Sequence, residues 1–224
     1  LKLAQGKVDQ FNDLEFADMK FIFNGEVRAN NTISYSSPKI ADGLVFNIAS
    51  LLQEKVDTDA SSTDDDQDGL FDVLSYSVEW QGKDLFASVS VMDNYGLDTA
   101  QKDIYQDGGK TTRAVATYKI GPVQLGAMWQ EYEEQTGTDS NGDGEISDTD
   151  GMLLSVAYTF AEKHTLKLQH GQSDIKLDGG EQNYFGYDYK AAKNVTLFAV
   201  VGDQSQDADD KDKSYLAGGL KVVF

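Results

Sequence analysis

Residues Asp139-Ser-Asn141-Gly-Asp143-Gly-Glu145-Ile-Ser-Asp-Thr-Asp150 have the spacing of a twelve-residue calcium loop. Oxygen donors stand at positions 1, 3 and 5, and a glycine at position 6 allows the sharp turn. Glu145 offers its backbone carbonyl at position 7, and an acid closes the loop at position 12. A shorter D-x-D-x-D-G-x-x-D run, built on Asp64, Asp66, Asp68, Gly69 and Asp72, repeats the same oxygen-rich logic. Neither run has a helical pattern beside it, so each would be an isolated loop site for Ca²⁺. The competing reading of both is a solvated acidic loop. For Asp207, Asp209, Asp210 and Asp212, which lack the glycine and the spacing, that reading is preferred.

No other chemistry is visible. The two histidines, His164 and His170, share the parity of Leu166 and Leu168 and so face the apolar side of their segment. A Ser/His/Asp hydrolase needs a histidine turned into a polar pocket. No glycine-rich phosphate loop occurs, so the residues argue against an enzyme. The absence of cysteine excludes a disulfide scaffold and a thiolate-ligated metal. A pI near 4.3 has the wrong sign for binding nucleic acid through its phosphates. No apolar run reaches the roughly 18–20 residues of a membrane helix. The start, Leu1-Lys2-Leu3, lacks an initiator methionine and is expected to be a processed terminus or the edge of a fragment.

The charge is concentrated. Windows 53–72, 131–150 and 203–212 hold 8, 8 and 5 acids with only Lys55 and Lys211 as bases, which accounts for the whole net charge of −19. The rest of the 224 residues is neutral. A neutral body with acidic insertions is a scaffold carrying acidic loops.

That body alternates with period two. Leu74, Tyr76, Val78 and Trp80 alternate with Ser75, Ser77 and Glu79, and Met152, Leu154, Val156, Tyr158 and Phe160 alternate with Leu153, Ser155, Ala157 and Thr159. Such alternation reads as strand. About twelve strands are expected, near 1–8, 28–37, 43–52, 71–81, 84–93, 110–119, 122–133, 151–160, 163–172, 182–190, 194–203 and 213–224. Between Phe11 and Phe23 a short turn of helix is the only competitor.

The connections alternate in length. Lys39–Asp42, Gln81–Lys83, Gly121, Ala161–Glu162 and 191–193 are short, whereas 53–70, 94–109, 134–150, 173–181 and 204–212 are long. In an up-and-down meander alternate connections emerge at the same end, so all three acidic windows share one rim. Short turns at one rim and long loops at the other describe a transmembrane β-barrel of the outer-membrane type, with the long loops extracellular. Trp80, Tyr118, Phe160, Tyr189 and Phe224 stand on the apolar parity beside short turns or the end of the chain, as an interfacial girdle requires. The alternative is a soluble calcium-binding β-sandwich of adhesin or lectin-like type.

Two segments carry a family resemblance. Arg28-Ala-Asn-Asn-Thr-Ile-Ser-Tyr-Ser-Ser-Pro38 resembles the strand that follows the constriction loop in general Gram-negative porins. The ending Gly219-Leu-Lys-Val-Val-Phe224, with Leu216 before it, resembles the C-terminal assembly signal of outer-membrane barrels. Those porins have sixteen strands, which at about 20 residues each need on the order of 320 residues. The resemblance therefore implies the C-terminal two thirds of a porin, one β-barrel domain over 1–224 with its constriction-loop segment at 9–27, a self-sufficient twelve-stranded barrel being the alternative.

It also implies a function: passive diffusion of ions and small hydrophilic solutes through a water-filled pore in the bacterial outer membrane. Asp9, Asp13, Glu15 and Asp18 would line the inward-folded loop, facing Arg28, Arg113 and Lys167 on the wall, so that acid and base set a transverse field. The expected partners are outer-membrane lipid and two further copies in a homotrimer.

Overall fold

Along Val73–Gln81 the side chains of Leu74, Tyr76, Val78 and Trp80 take one face of the pleat, and those of Ser75, Ser77 and Glu79 take the other. The same division recurs down the chain. The computed structural model describes residues 1–12, 14, 16–26, 32–52, 73–93, 109–133, 148–176, 179–206 and 212–223. Among them run eleven strands: β1 (Thr32–Ser36), β2 (Leu44–Leu51), β3 (Val73–Gln81), β4 (Leu85–Asp93), β5 (Lys110–Ile120) and β6 (Val123–Glu133), followed by β7 (Asp148–Phe160), β8 (His164–Ser173), β9 (Gly180–Ala192), β10 (Val195–Gln206) and β11 (Lys213–Val222).

All eleven belong to one sheet in chain order, and each pairs antiparallel with its sequence neighbour. A two-sheet sandwich is thereby excluded. Strands of mostly eight to thirteen residues match the span of tilted membrane strands. The outer face is an apolar field over the middle and turn-side parts of the strands, in which Tyr76, Val89, Leu154 and Leu168 are between 43% and 54% exposed. So large an exposed apolar surface marks contact with lipid or another chain. At the turn rim of that face, Phe160 stacks on His164 with ring centroids 5.1 Å apart, and Tyr187 OH lies 2.6 Å from His164 Nδ1.

The turns follow local chemistry. Gly121 takes a φ of 55°, which only glycine adopts freely, and lets Ile120 pair with Val123 across a two-residue connection. The other tight connections are 82–84, 161–163 and 193–194.

Two expectations are corrected. Residues 1–8 are not a strand: Lys2–Gln5 form a 3₁₀ turn, and Gly6 turns the chain with a φ of 57°. Their apolar residues are satisfied by docking rather than by a ladder, since Ala4 and Val8 are buried against the sheet's inner face. The long connections are shorter than expected: that at 173–181 is only Asp174–Gly179, because β8 and β9 extend to a Ser173–Gly180 pair, and those at 134–150 and 204–212 lose residues to β7, which begins at Asp148, and to β10, which runs to Gln206. Asp174 Oδ1 accepts the Asp150 N–H at 2.7 Å, and Ile175 is buried, so this turn folds onto the sheet.

Between Phe11 and Phe23 the structure has a 3₁₀ turn, Met19–Phe21, whose first residues are capped by Asp18. The described residues of the segment through residue 26 lie along the inner face. Val8, Met19, Ile22 and Phe23 pack on Val115, Met128, Tyr132 and Leu153, while Phe11 and Ala17 pack on Tyr184 and Val200. Val115, Met128 and Leu153 are successive register partners on β5, β6 and β7, so one apolar row crosses three strands. Each fully buried side chain of the segment contributes about 1.5–3 kcal/mol to holding it there.

Candidate functional site

The inner face, with the segment docked on it, is where solute could meet this chain. Gly186 and Gly151 make the close approach possible: a Cβ at Gly186 would stand 2.5 Å from Phe11 Cε1, and one at Gly151 would stand 2.8 Å from Phe23 Cε1. Small inward positions thus serve as sockets for the segment's aromatic rings.

One polar anchor is buried beneath the segment. Arg113, on β5, is fully buried; its Nη1 donates to Glu26 Oε1 at 2.6 Å and to Gln5 Oε1 at 3.3 Å. Its Nη2 donates to the Asn24 carbonyl at 2.6 Å, and its Nε donates to Gln130 Oε1 at 2.8 Å. A guanidinium whose donors are so engaged pins both ends of the segment to the wall and does not meet solvent.

The acids expected along the loop are likewise engaged. Asp9 is buried, with Oδ1 accepting the Phe11 N–H at 2.9 Å and Oδ2 accepting the Met19 N–H at 3.2 Å. Burial pushes its carboxyl up to about 6, against the opposing pull of those two donors. Asp18 Oδ1 accepts the Lys20 N–H at 2.9 Å. These two carboxylates staple the segment into shape.

Lys167, on β8, stands nearer to open lumen. It pairs with Asp188 at 2.8 Å and donates to the Gln10 carbonyl at 3.2 Å. Of the expected constriction residues, Asp9, Asp18, Arg113 and Lys167 are therefore all brought to one docking interface. Asp13, Glu15 and Arg28 lie outside the described residues.

Of the expected calcium ligands, Asp139, Asn141, Asp143, Glu145, Asp64, Asp66, Asp68 and Asp72 also lie outside the described residues. Asp150 is described: it pairs with Glu131 in the β6–β7 ladder, and its Oδ2 accepts the Trp129 indole N–H at 3.1 Å on the outer face. Among the described residues no cluster of three or more acidic or histidine side chains could hold a metal. His170 also turns outward, where Nδ1 meets Asn183 Oδ1 at 2.8 Å.

Sequence reasoning overlooked Glu26 and Asp188, the partners of the two wall cations. Asp188 could have been found, because it shares the inward parity of Gln182 and Tyr184 on β9.

A sequence profile described as Gram-negative porin matches residues 4–209, most of the chain. The chain belongs to the Gram-negative porin family. Solved porins share its fold. The anion-selective porin from Comamonas acidovorans is 20% identical with a TM-score of 0.62, the match covering 88% of this chain and 59% of that one. OmpF of Salmonella typhi, solved with daunomycin, is 15% identical with a TM-score of 0.57, covering 85% and 61%. A porin refined at 1.8 Å resolution is 16% identical with a TM-score of 0.59, covering 93% and 65%. The chain thus spans about three fifths of the length of these porins. No curated protein sequence matches it. As a Gram-negative porin, the chain has its place in the bacterial outer membrane, and its apolar outer face is the surface that lipid covers.

Proposed function

We propose that this porin chain forms the greater part of a sixteen-stranded, water-filled pore for passive diffusion of ions and small hydrophilic solutes. The observation that carries the reading is the segment 1–26 docked on the inner face of a sheet whose outer face is apolar. A segment held inside a barrel narrows its cross-section, and what passes is then set by the remaining width and by the charges beside it. The work is a filter's and needs no bond-making residue.

Asp13, Glu15 and Arg28 belong to the same proposal, as residues of the constriction beside the docked portion, with Lys167 as the wall cation that keeps contact with the lumen. Homotrimer formation belongs to it too, with the apolar outer face buried in part between copies. The two acidic loops are proposed as extracellular Ca²⁺ sites, Asp139, Asn141 and Asp143 supplying side-chain oxygens and Glu145 its carbonyl.

Purified full-length protein in planar bilayers tests the reading. Stepwise conductance that rises in proportion to bulk salt is expected, and a protein that inserts but conducts nothing overturns it.

A further inference from the structure

The lumen on the turn side of the docked segment carries a basic cavity that shares Lys167 with the constriction but whose Lys7 and Lys119 the constriction does not use. Lys119 on β5, Gln124 on β6, Ala157 on β7 and Lys167 on β8 are successive register partners on the inner face. Three strand spacings of about 4.8 Å separate the two lysine backbones by roughly 14 Å. Lys7 lies over the middle of that row, because its carbonyl accepts Gln124 Nε2 at 3.2 Å. The three lysines, Gln10, Thr159 and Thr165 line a cavity of about 670 Å³.

Its charges are unequal. Asp188 neutralises Lys167 at 2.8 Å. Lys7 and Lys119 are exposed and form no ion pair among the described residues, and Glu162 on the neighbouring turn is the one other acid of the lining. The opposite rim is acidic because the windows 53–72, 131–150 and 203–212, which together carry −19, lie at that end of the strands; of the described charges there, Asp93, Glu131, Asp150, Glu181 and Asp203 stand on the outer parity, with Lys110, Lys176 and Lys213 in opposition. An anion is thus repelled at the loop mouth and attracted at the turn mouth.

Building on the pore reading above, we propose that this cavity is a docking subsite for small multivalent anions, carboxylate or phosphate, entered from the turn side. Lys7 and Lys119 supply the attraction; the Gln10 and Gln124 amides, which each give one hydrogen to the Lys7 carbonyl, have their second hydrogen to offer, and one hydroxyl hydrogen of the bonded Thr159–Thr165 pair is left for the anion. An anion seated there stands beside the docked segment and obstructs the ion path.

The experiment is single-channel recording of the full-length protein at about 0.1 M salt, where the Debye length is about 10 Å. Citrate and inorganic phosphate are added in millimolar amounts to one compartment at a time. The chain has no cysteine, so a single cysteine placed within 53–70 and a bulky thiol reagent identify the loop side of each channel.

Citrate on the turn side should reduce the current about fivefold more effectively than citrate on the loop side, and more so when the loop side is positive and drives anions inward. Lys7→Gln with Lys119→Gln should weaken this block about tenfold and leave conductance at 1 M salt unchanged. Phosphate should act likewise but more weakly than citrate. Equal block from both sides, no block, or block that survives the double substitution overturns the subsite while leaving the pore reading intact. Absence of any conductance overturns the pore reading, and the subsite falls with it.

Discussion

Arg113 Nη1 lies 2.6 Å from Glu26 Oε1 with both side chains buried, 0% and 2% exposed, so a single ion pair joins β5 to the far end of the docked segment. Apolar packing on its own would let the segment slide along a smooth row of Val115, Met128 and Leu153. A guanidinium held by Glu26, Asn24, Gln5 and Gln130 admits one position.

Removing one member of that pair strands the other charge. Glu26→Gln should weaken docking by about 3–5 kcal/mol, whereas Arg113→Met with Glu26→Gln should cost clearly less than the sum of the two single substitutions. Hydrogen-exchange protection of the 1–26 amides in the full-length protein is the measurement. Additive losses would show that the pair is not coupled.

Docking should also depend on pH through Asp9. Its folded value of about 6 lies above the ordinary 3.8, so the docked segment binds the proton more tightly than the released one. The stabilisation is fully present below about pH 4 and is lost as pH rises through about 6, on the order of 2–3 kcal/mol in all. Protection factors for Phe11 and Met19 followed from pH 4 to pH 8 should fall over that range in the native chain and stay flat in Asp9→Asn. A rise in protection with pH would contradict the assignment.

At the Phe11 socket, Gly186→Ala places a methyl group 2.5 Å from the ring, and the ring must move. We expect a loss of about 1–3 kcal/mol in docking, partly recovered when Phe11→Leu is added. Single-channel current noise should rise in Gly186→Ala and settle in the double variant. Unchanged noise and unchanged exchange would mean that the wall yields instead.

Because connections alternate between the two rims, single cysteines within 53–70 and 134–147 should react with an impermeant reagent on whole cells, whereas those at 83, 121 and 193 should not. Equal labelling of both sets would contradict the orientation.

The calcium proposal has its own test. Acidic loops at one mouth should give a modest cation preference at low salt, fading as the Debye length falls from about 10 Å at 0.1 M to about 3 Å at 1 M. Millimolar Ca²⁺ should reduce that preference, since loop sites of this kind bind at about 10⁻⁴–10⁻³ M. Asp139→Asn with Asp143→Asn should remove the calcium effect, as read from reversal potentials in a salt gradient.

The strands and their order were legible in the sequence because a half-buried strand must alternate. The pleat puts successive side chains on opposite faces, and lipid outside makes the apolar parity nearly free of exceptions, as in Leu74–Trp80 and Met152–Phe160. Loop parity was legible for a related reason, since chain connectivity forces alternate connections to one end.

Residues 1–8 show where that reasoning stops. Leu1, Leu3, Ala4 and Val8 offer an apolar pattern in the sequence that a strand or a docked coil satisfies equally, and only the presence of an apolar inner face for Ala4 and Val8 to cover decides between the two. Sign and type of residue placed Asp9, Asp18, Arg113 and Lys167 together but did not distinguish a charge facing water from one buried in a clasp. That distinction depends on what covers each group, and covering is a contact between residues as far apart as Glu26 and Arg113. Periodicity sets the face a side chain takes, but the docking of one segment on another sets whether that face is wet, and this the tertiary structure alone decided.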